Sequence, residues 1–115
     1  MSVLGTKYLN LCKSCYLNNI RPANSESIQT RVYAELVEIA QSYFKESRIE
    51  DFSKFFQEYQ YCVNLWTAHL VIEFGNPNDD LISKALEIIK RYSHTELNIA
   101  LAKEETIWLK RYKQV

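Results

Sequence analysis

The chain has 115 residues, of which 47% are hydrophobic and 24% are charged, and its 14 basic residues balance its 14 acidic ones. This composition is typical of one globular domain and excludes a disordered chain. A neutral chain lacks the basic excess with which proteins usually bind a phosphate backbone, so we expect no nucleic-acid partner. Only two glycines and two prolines occur, which disfavours the many turns of an all-β domain and favours a few long helices.

The sequence offers no candidate membrane anchor or leader. No apolar run approaches the roughly 20 residues that cross a bilayer, and the N-terminus lacks the pattern of a signal peptide. Three cysteines are too few for a disulfide framework, and their odd number leaves one of them without a partner. We therefore expect a cytoplasmic protein with no membrane partner.

Helical periodicity begins at once, over about residues 3–17. Apolar residues recur there on one helical face, at Leu4, Tyr8, Leu11, Cys12 and Cys15. Pro22 prevents this helix from continuing. A second helix is predicted from an N-cap at Asn24 or Ser25 to about Lys45. Its apolar stripe comprises Ile28, Val32, Leu36, Ile39, Ala40 and Tyr43.

The middle of the chain is predicted to contain a third and a fourth helix. Ser47 and Glu50 have the spacing of a capping box, which predicts a helix start. No Gly or Pro follows until residue 75, so residues 51–74 form either one long helix or two with a kink near 57–60. A compact domain favours two. Residues 61–74 are apolar nearly all round, as expected of a helix packed on several sides.

A strong break follows at "FGNPNDD". Gly75 suits the left-handed position after a helix, Asn76 suits the next N-cap, and Pro77 suits the first helical position. Asp79 and Asp80 then lie in a first helical turn, where the helix dipole favours acidic residues. This fifth helix is predicted to run to about Tyr92.

A last helix is predicted from about Glu96 to Lys113, after a break in which His94 is a helix-end residue. Its predicted buried residues are Leu97, Ala100, Leu101, Trp108 and Tyr112. The chain as a whole is thus predicted to be a single all-α domain, residues 1–115, of five or six antiparallel helices.

The C-x-x-C pair Cys12 and Cys15 is the one short motif that suggests chemistry. Redox pairs of this kind lie at a strand-to-helix junction, where the helix N-terminus lowers the pKa of a thiol, and no strand pattern is present here. A structural zinc site needs four ligands, and Cys62, His69 and His94 do not have the spacing of the other two. We therefore predict buried, reduced core cysteines.

The remaining titratable residues suggest no catalytic centre. His69 and Glu73 stand four residues apart and form either an acid–base pair or a pair that satisfies its own polarity. Glu104 and Glu105 lie in mid-helix, where one of the two carboxylates can approach the apolar face. Inward-facing Glu-x-x-His motifs of di-iron bundles do not occur. We expect no catalytic residues, no metal and no cofactor.

Eight tyrosines and two tryptophans are a large number for this length. Such residues close the boundary between core and solvent in helical domains, and they are also enriched at protein–protein interfaces. The tyrosines expected to be exposed on a binding surface are Tyr33, Tyr43, Tyr59 and Tyr61. The carboxylates expected to form an acidic rim beside them are Asp79, Asp80, Glu104 and Glu105.

Residues 63–113 carry a family resemblance in "LWTAHLVIEF", the "GNP" break, "ALEIIKRYS" and the closing "IALAKEETIWLKRYK". This order of helix, Pro-bearing turn, helix, short break and Ala-rich helix with a late Trp resembles a family of short HEAT-like helical domains of bacteria. The family is of unknown function, and relatives of this kind often act as immunity proteins of polymorphic toxin systems. The resemblance implies either a HEAT-like α-α superhelix or an irregular helical bundle, with no catalytic residues.

The expected function is protein binding, and the resemblance implies a co-encoded toxin domain as the partner. A helical face with aromatic anchors and an acidic rim would cover the active site of the toxin, and its carboxylates would imitate phosphates if that toxin is a nuclease. One alternative is a structural or adaptor domain that self-associates as a homodimer. The other is a small metal- or thiol-dependent enzyme that uses Cys12, Cys15 and His69.

Overall fold

The computed structural model describes residues 2–113, and every regular element in that range is helical. The predicted all-α class is confirmed, with six α-helices. In chain order they are α1 (Val3–Leu17), α2 (Arg31–Lys45), α3 (Ile49–Ser53), α4 (Val63–Phe74), α5 (Asp79–Ser93) and α6 (Ile99–Lys113). Three short 3₁₀ turns lie between them, at Ser27–Gln29, Lys54–Gln57 and Gln60–Cys62. The radius of gyration is 13.1 Å, as expected of a compact chain of this length.

Helix α4 is the centre of an irregular bundle. It packs against α1, α2, α3 and α5, and the side chains of His69 and Glu73 join it to α6. Nine consecutive residues, Val63 to Val71, are buried. The prediction that this segment packs on several sides is therefore confirmed. No helix within residues 2–113 is both long enough and apolar enough to span a membrane.

Three polar residues of α4 are buried together with its apolar ones, and each bonds to a different helix. The three pairs are Tyr8–Thr67 with α1 at 2.8 Å, Asn64–Tyr92 with α5 at 2.7 Å and His69–Glu105 with α6 at 2.6 Å. The Thr67 hydroxyl donates to the carbonyl of Val63, so the Tyr8 hydroxyl is the donor in the first pair. Because a buried polar group without a partner is costly, these pairs fix how α1, α5 and α6 seat on α4.

The second helix begins later than its sequence predicts. Its N-cap is Thr30, whose hydroxyl accepts a hydrogen bond from the Tyr33 amide at 3.2 Å. The predicted N-cap Asn24 instead accepts from the amide of Ser27 at 2.8 Å and stabilises the preceding 3₁₀ turn. The start at Asn24 or Ser25 was therefore wrong, because the Asn24 side chain closes a separate turn.

Ser47 ends α2 rather than starting α3. It has a left-handed backbone, with φ 58°, and its amide donates to the carbonyl of Phe44 at 3.1 Å. The next amide, of Arg48, donates to the carbonyl of Tyr43 at 2.8 Å, which completes a Schellman motif. The predicted capping box is therefore wrong, and α3 begins at Ile49 without a side-chain cap.

The break between α4 and α5 differs in detail from its prediction. Gly75 is not left-handed; Asn76 is, with φ 48°, and Asn78 caps α5 by accepting from the Leu81 amide at 2.9 Å. Gly75 is required for another reason: a Cβ there would lie 2.7 Å from the carbonyl oxygen of Val71 and 2.9 Å from Ile49 Cδ1. Asp79 and Asp80 do lie in the first turn of α5, as predicted.

Two further predictions concern the break at 57–60 and the last helix. The chain between Asp51 and Phe74 forms two α-helices, as favoured, because α3 ends at Ser53 and α4 begins at Val63. Helix α6 begins only at Ile99, since the Asn98 side chain accepts from the Leu101 amide at 3.1 Å and caps it. Leu101 is buried, but Leu97 and Ala100 are exposed, so their predicted burial was wrong. His94 lies at the C-cap of α5, as predicted.

Candidate functional site

A half-enclosed cleft of about 350 Å³ opens on one side of the bundle. Three segments line it, within residues 16–22, 61–66 and 92–101. Its aromatic side chains are Tyr16, Tyr61, Trp66 and Tyr92, and we call it the aromatic cleft. Trp66 and Leu101 are buried, whereas Tyr16 and Leu97 are exposed at the opening. Its size lies within the range of small-molecule pockets, at the lower end.

The first wall of the cleft is built by the way α1 ends. Asn19 has a left-handed backbone, with φ 57°, and the amide of Ile20 donates back to the carbonyl of Cys15 at 2.8 Å. This Schellman motif turns the chain sharply away from the helix axis. Asn is one of the few residues besides Gly that adopts this backbone conformation readily. The turn leaves Tyr16 at the rim of the cleft.

The second wall is a strained turn before α4. Tyr61 (φ 55°, ψ 28°) and Cys62 (φ 56°, ψ 26°) are two consecutive left-handed residues, and neither is glycine. Such conformations cost about 1–3 kcal/mol each and persist only where the surroundings hold them. The Tyr61 ring meets the Tyr16 ring edge-on at 5.6 Å, and the Lys13 ammonium lies 5.5 Å from its centre. The Asn64 amide closes the turn by donating to the Glu58 carbonyl at 2.9 Å.

The one arginine of the cleft is already paired. Arg21 donates to both carboxylate oxygens of Glu104, from Nε at 2.7 Å and from Nη2 at 2.9 Å, and Asn24 donates to the same carboxylate at 2.7 Å. Burial alone would raise the pKa of Glu104, but these hydrogen bonds and the guanidinium charge lower it. The pair is therefore charged on both sides and adds no net charge to the cleft.

Two further titratable groups of the cleft wall, Cys62 and Tyr92, are uncharged. Burial raises the pKa of the Cys62 thiol, and it also raises that of the Tyr92 hydroxyl. The Tyr92 hydroxyl is occupied as the donor to Asn64 Oδ1. A protonated thiol is a poor nucleophile, so this arrangement is suited to binding rather than to covalent chemistry.

Cys12 and Cys15 lie in the core, as predicted. Both are buried and free, on the face of α1 that also carries Tyr8. Burial raises the pKa of Cys15 to about 11 and that of Cys12 still further. Within residues 2–113, no three or more His, Cys, Asp or Glu residues are grouped so as to hold a metal ion.

Two residues predicted to lie on a binding surface are in the interior. Tyr43 is only 3% exposed and packs against Phe52, with ring centres 5.2 Å apart. Glu105 is fully buried and pairs with His69. Neither forms part of an exposed surface, so their expected exposure was wrong. The pattern contained the reason for Glu105, because it is four residues from both Leu101 and Leu109 on the buried face of α6.

The other predicted surface residues are distributed over separate places. Tyr61 lines the aromatic cleft, and Glu104 lies behind it on Arg21. Exposed Tyr59 shares a polar groove with Asp80, between the α3 region and α5, and Asp79 is exposed beside it. Tyr33 is half-buried against Trp66, with ring centres 6.1 Å apart. The structure thus brings only Tyr61 of this set into the cleft itself.

The expected pairing of His69 with Glu73 is not observed. His69 Nε2 lies 2.6 Å from Glu105 Oε1, while Glu73 accepts a hydrogen bond from the indole of Trp108 at 3.2 Å. The His69 and Trp108 rings also meet nearly at right angles, with ring centres 4.8 Å apart. This polar cluster joins α4 to α6.

Apart from Tyr61, none of the residues that line the cleft was predicted as a site residue, including Tyr16 and Leu97 at its rim. The position of Tyr16, just past the apolar face of α1, carried no signal of its own, and Leu97 was expected to be buried. Comparison with protein-family models, with curated proteins and with solved structures found no match to this chain.

Proposed function

We propose that this chain is a protein-binding module that engages its partner at the aromatic cleft. The observation that supports this is the rim of the cleft, where Leu97 is 97% exposed and Tyr16 is 57% exposed beside the half-enclosed cavity. An exposed leucine and tyrosine beside a concave apolar surface are typical of interfaces, in which aromatic and apolar anchors contribute most of the affinity.

Leu97 at the rim contributes little to folding, which leaves binding as its physical advantage. Leu97 lies in the 94–98 loop, and its backbone amide makes only a weak bond, of 3.3 Å, to the Thr95 hydroxyl. Burying a leucine side chain is worth about 1.5–3 kcal/mol. That gain is not realised in the chain alone and becomes available when a partner covers the loop.

As the specific partner we propose a toxin domain encoded beside this chain. The resemblance of residues 63–113 to short helical domains found as immunity proteins supports this choice. The mechanism would be occlusion: the rim of the aromatic cleft anchors the toxin, and the exposed carboxylates Asp79 and Asp80 add charge contacts at a distance from the cleft. In this proposal the chain acts by binding and performs no catalysis.

Coexpression with the neighbouring toxin domain tests this proposal. We expect a 1:1 complex by size-exclusion chromatography with light scattering, and survival of cells that express the toxin. Leu97→Ser should weaken both. Val3→Ser is the matched control, because Val3 is also exposed, at 90%, but lies at the opposite end of α1 from Tyr16. Absence of a complex, with no rescue of the cells, would contradict the proposal.

A second candidate function, self-association, is supported by a different surface. Ile99 and Ile107 on α6 are 70% and 51% exposed and line a shallow apolar groove that also includes Ala102. A second copy packed on this groove would form a dimer. Sedimentation over a range of concentrations tests this, and Ile107→Ser should convert a dimer to a monomer. A monomer at every concentration would exclude this candidate.

A further inference from the structure

The aromatic cleft has the properties of a socket for a single side chain. It is half-enclosed, and its volume of about 350 Å³ is small for a folded segment of a partner. Buried Trp66 and Leu101 close its inner end, while Tyr16 and Leu97 stand at its opening. Interface hot spots are commonly one large side chain inserted into such a pocket, surrounded by contacts that exclude water.

The charges of the cleft select an uncharged occupant. Both carboxylate oxygens of Glu104 accept hydrogen bonds, from Arg21 and Asn24, so the two charges of the ion pair neutralise each other within the chain. The nearby Cys62 thiol and Tyr92 hydroxyl are neutral at physiological pH, because burial raises the pKa of each. The lining residues include no unpaired charged group, so a charged side chain that enters the cleft is desolvated without a counter-ion in the lining, which is unfavourable.

The strained turn gives an independent reason to regard the cleft as a binding site. Strain in the two left-handed residues Tyr61 and Cys62 opposes folding, and a glycine at either position would relieve it. The conformation places the Tyr61 ring in the wall of the cleft, where the edge contact with Tyr16 holds it. Rigid aromatic walls of this kind favour planar groups, which pack edge-on or offset against them.

We propose that the aromatic cleft recognises one uncharged aromatic side chain, a tryptophan or phenylalanine, presented by the partner protein. This inference rests on the proposed protein-binding function and names the group that the cleft receives. The occupant packs among Tyr16, Tyr61 and Trp66, and the rim residue Leu97 covers it. Its insertion buries the apolar surface that is open to solvent in the unbound chain.

The inference can be tested on the isolated protein with small probes. The amide signals of the ¹⁵N-labelled chain are followed by NMR during titration with N-acetyltryptophanamide, N-acetyllysinamide and N-acetylaspartamide. We expect weak, saturable shifts with the tryptophan probe, confined to residues 16–22, 61–66 and 92–101. The two charged probes should bind at least about tenfold more weakly. Equal binding of a charged probe, or shifts located elsewhere, would overturn the inference.

A variant that fills the cleft gives the control. Thr95 lies half-buried in the cleft wall, so Thr95→Trp should occupy the socket and weaken binding of the tryptophan probe at least about tenfold. Val3→Trp adds the same side chain far from the cleft and should leave binding unchanged. Unaltered binding of the tryptophan probe to folded Thr95→Trp would also overturn the inference. If this variant does not fold, the location of the shifts in the wild-type titration tests the inference alone.

The outcome separates the inference from the proposed function. Complex formation with the toxin domain that is sensitive to Leu97→Ser, together with a cleft that binds no aromatic probe, would leave protein binding in place and remove the aromatic socket. Selective binding of the tryptophan probe, without any complex with the toxin domain, would keep the aromatic site and remove the toxin domain as the partner.

Discussion

His69 Nε2 lies 2.6 Å from Glu105 Oε1 in the interior of the bundle, and this pair links the central helix α4 to α6. Both side chains are buried, and the other polar atom of each, His69 Nδ1 and Glu105 Oε2, has no hydrogen-bond partner within the described residues. Each side chain therefore has one of its two polar atoms hydrogen-bonded, and that bond is to the other member of the pair. Each residue depends on the other to remain in an apolar interior.

Removing one member of this pair should be severe. We expect Glu105→Leu or His69→Leu alone to lower the free energy of unfolding by about 1–3 kcal/mol, because each leaves a buried polar partner unpaired. The double variant should recover much of that loss, since no buried polar group is then left. Urea unfolding followed by tryptophan fluorescence measures all three. Single variants that each lose less than about 1 kcal/mol would contradict this role for the pair.

The Arg21–Glu104 pair should contribute stability that depends on pH. The pKa of Glu104 is lowered in the folded chain from an ordinary value of 4.5, so its contribution is present above that pH and is lost as the pH falls through the lowered value. We expect Glu104→Gln to make unfolding less sensitive to acid below pH 4.5. Thermal melts over a pH series measure this. The same flattening in Glu96→Gln, at an exposed site, would show that Glu104 is not the source.

The three thiols should differ in reactivity in the folded chain. Cys62 is half-buried in the cleft wall, whereas Cys12 and Cys15 are fully buried. Titration with a chromogenic disulfide at mildly alkaline pH should label Cys62 first and the other two only after unfolding. Cys62→Ser should remove the early phase alone. Early labelling of Cys12 or Cys15, or a disulfide between them, would contradict the position of α1 in the core.

Gly75 should tolerate no side chain. A Cβ at this position would lie 2.7 Å from the Val71 carbonyl oxygen, so we expect Gly75→Ala and Gly75→Asn both to cost about 1–3 kcal/mol of unfolding free energy. Asparagine is the informative variant. It would be tolerated if the position were left-handed, and it is not tolerated if close approach is the constraint. Chemical denaturation distinguishes the two, and near-wild-type stability of Gly75→Asn would contradict the observed geometry.

The sequence predicted the fold class and the course of the helices because both follow from local patterns. The apolar period of α1 and the apolar surface all round α4 each need only the residues of one segment. The helix starts were predicted less well, since a capping residue has more than one use. Asn24 stabilises a 3₁₀ turn and bonds to Glu104, and Ser47 closes the helix before it. Which use prevails depends on residues far along the chain.

The cleft could not be predicted from the sequence. It forms where three segments meet that are separated by about 40 and 25 residues, and none of them carries a motif. The left-handed backbone of Tyr61 and Cys62 is a further reason, because neither residue type favours that conformation and only the packing around the turn imposes it. Glu105, in contrast, could have been placed inside from its spacing to Leu101 and Leu109.

Binding at the rim of the aromatic cleft is tested most directly by calorimetric titration of the toxin domain with three forms of this chain. We predict that the wild type and Val3→Ser bind equally and that Leu97→Ser binds at least about tenfold more weakly, with unchanged melting temperatures for all three. Equal affinity of Leu97→Ser and the wild type would contradict binding at the cleft.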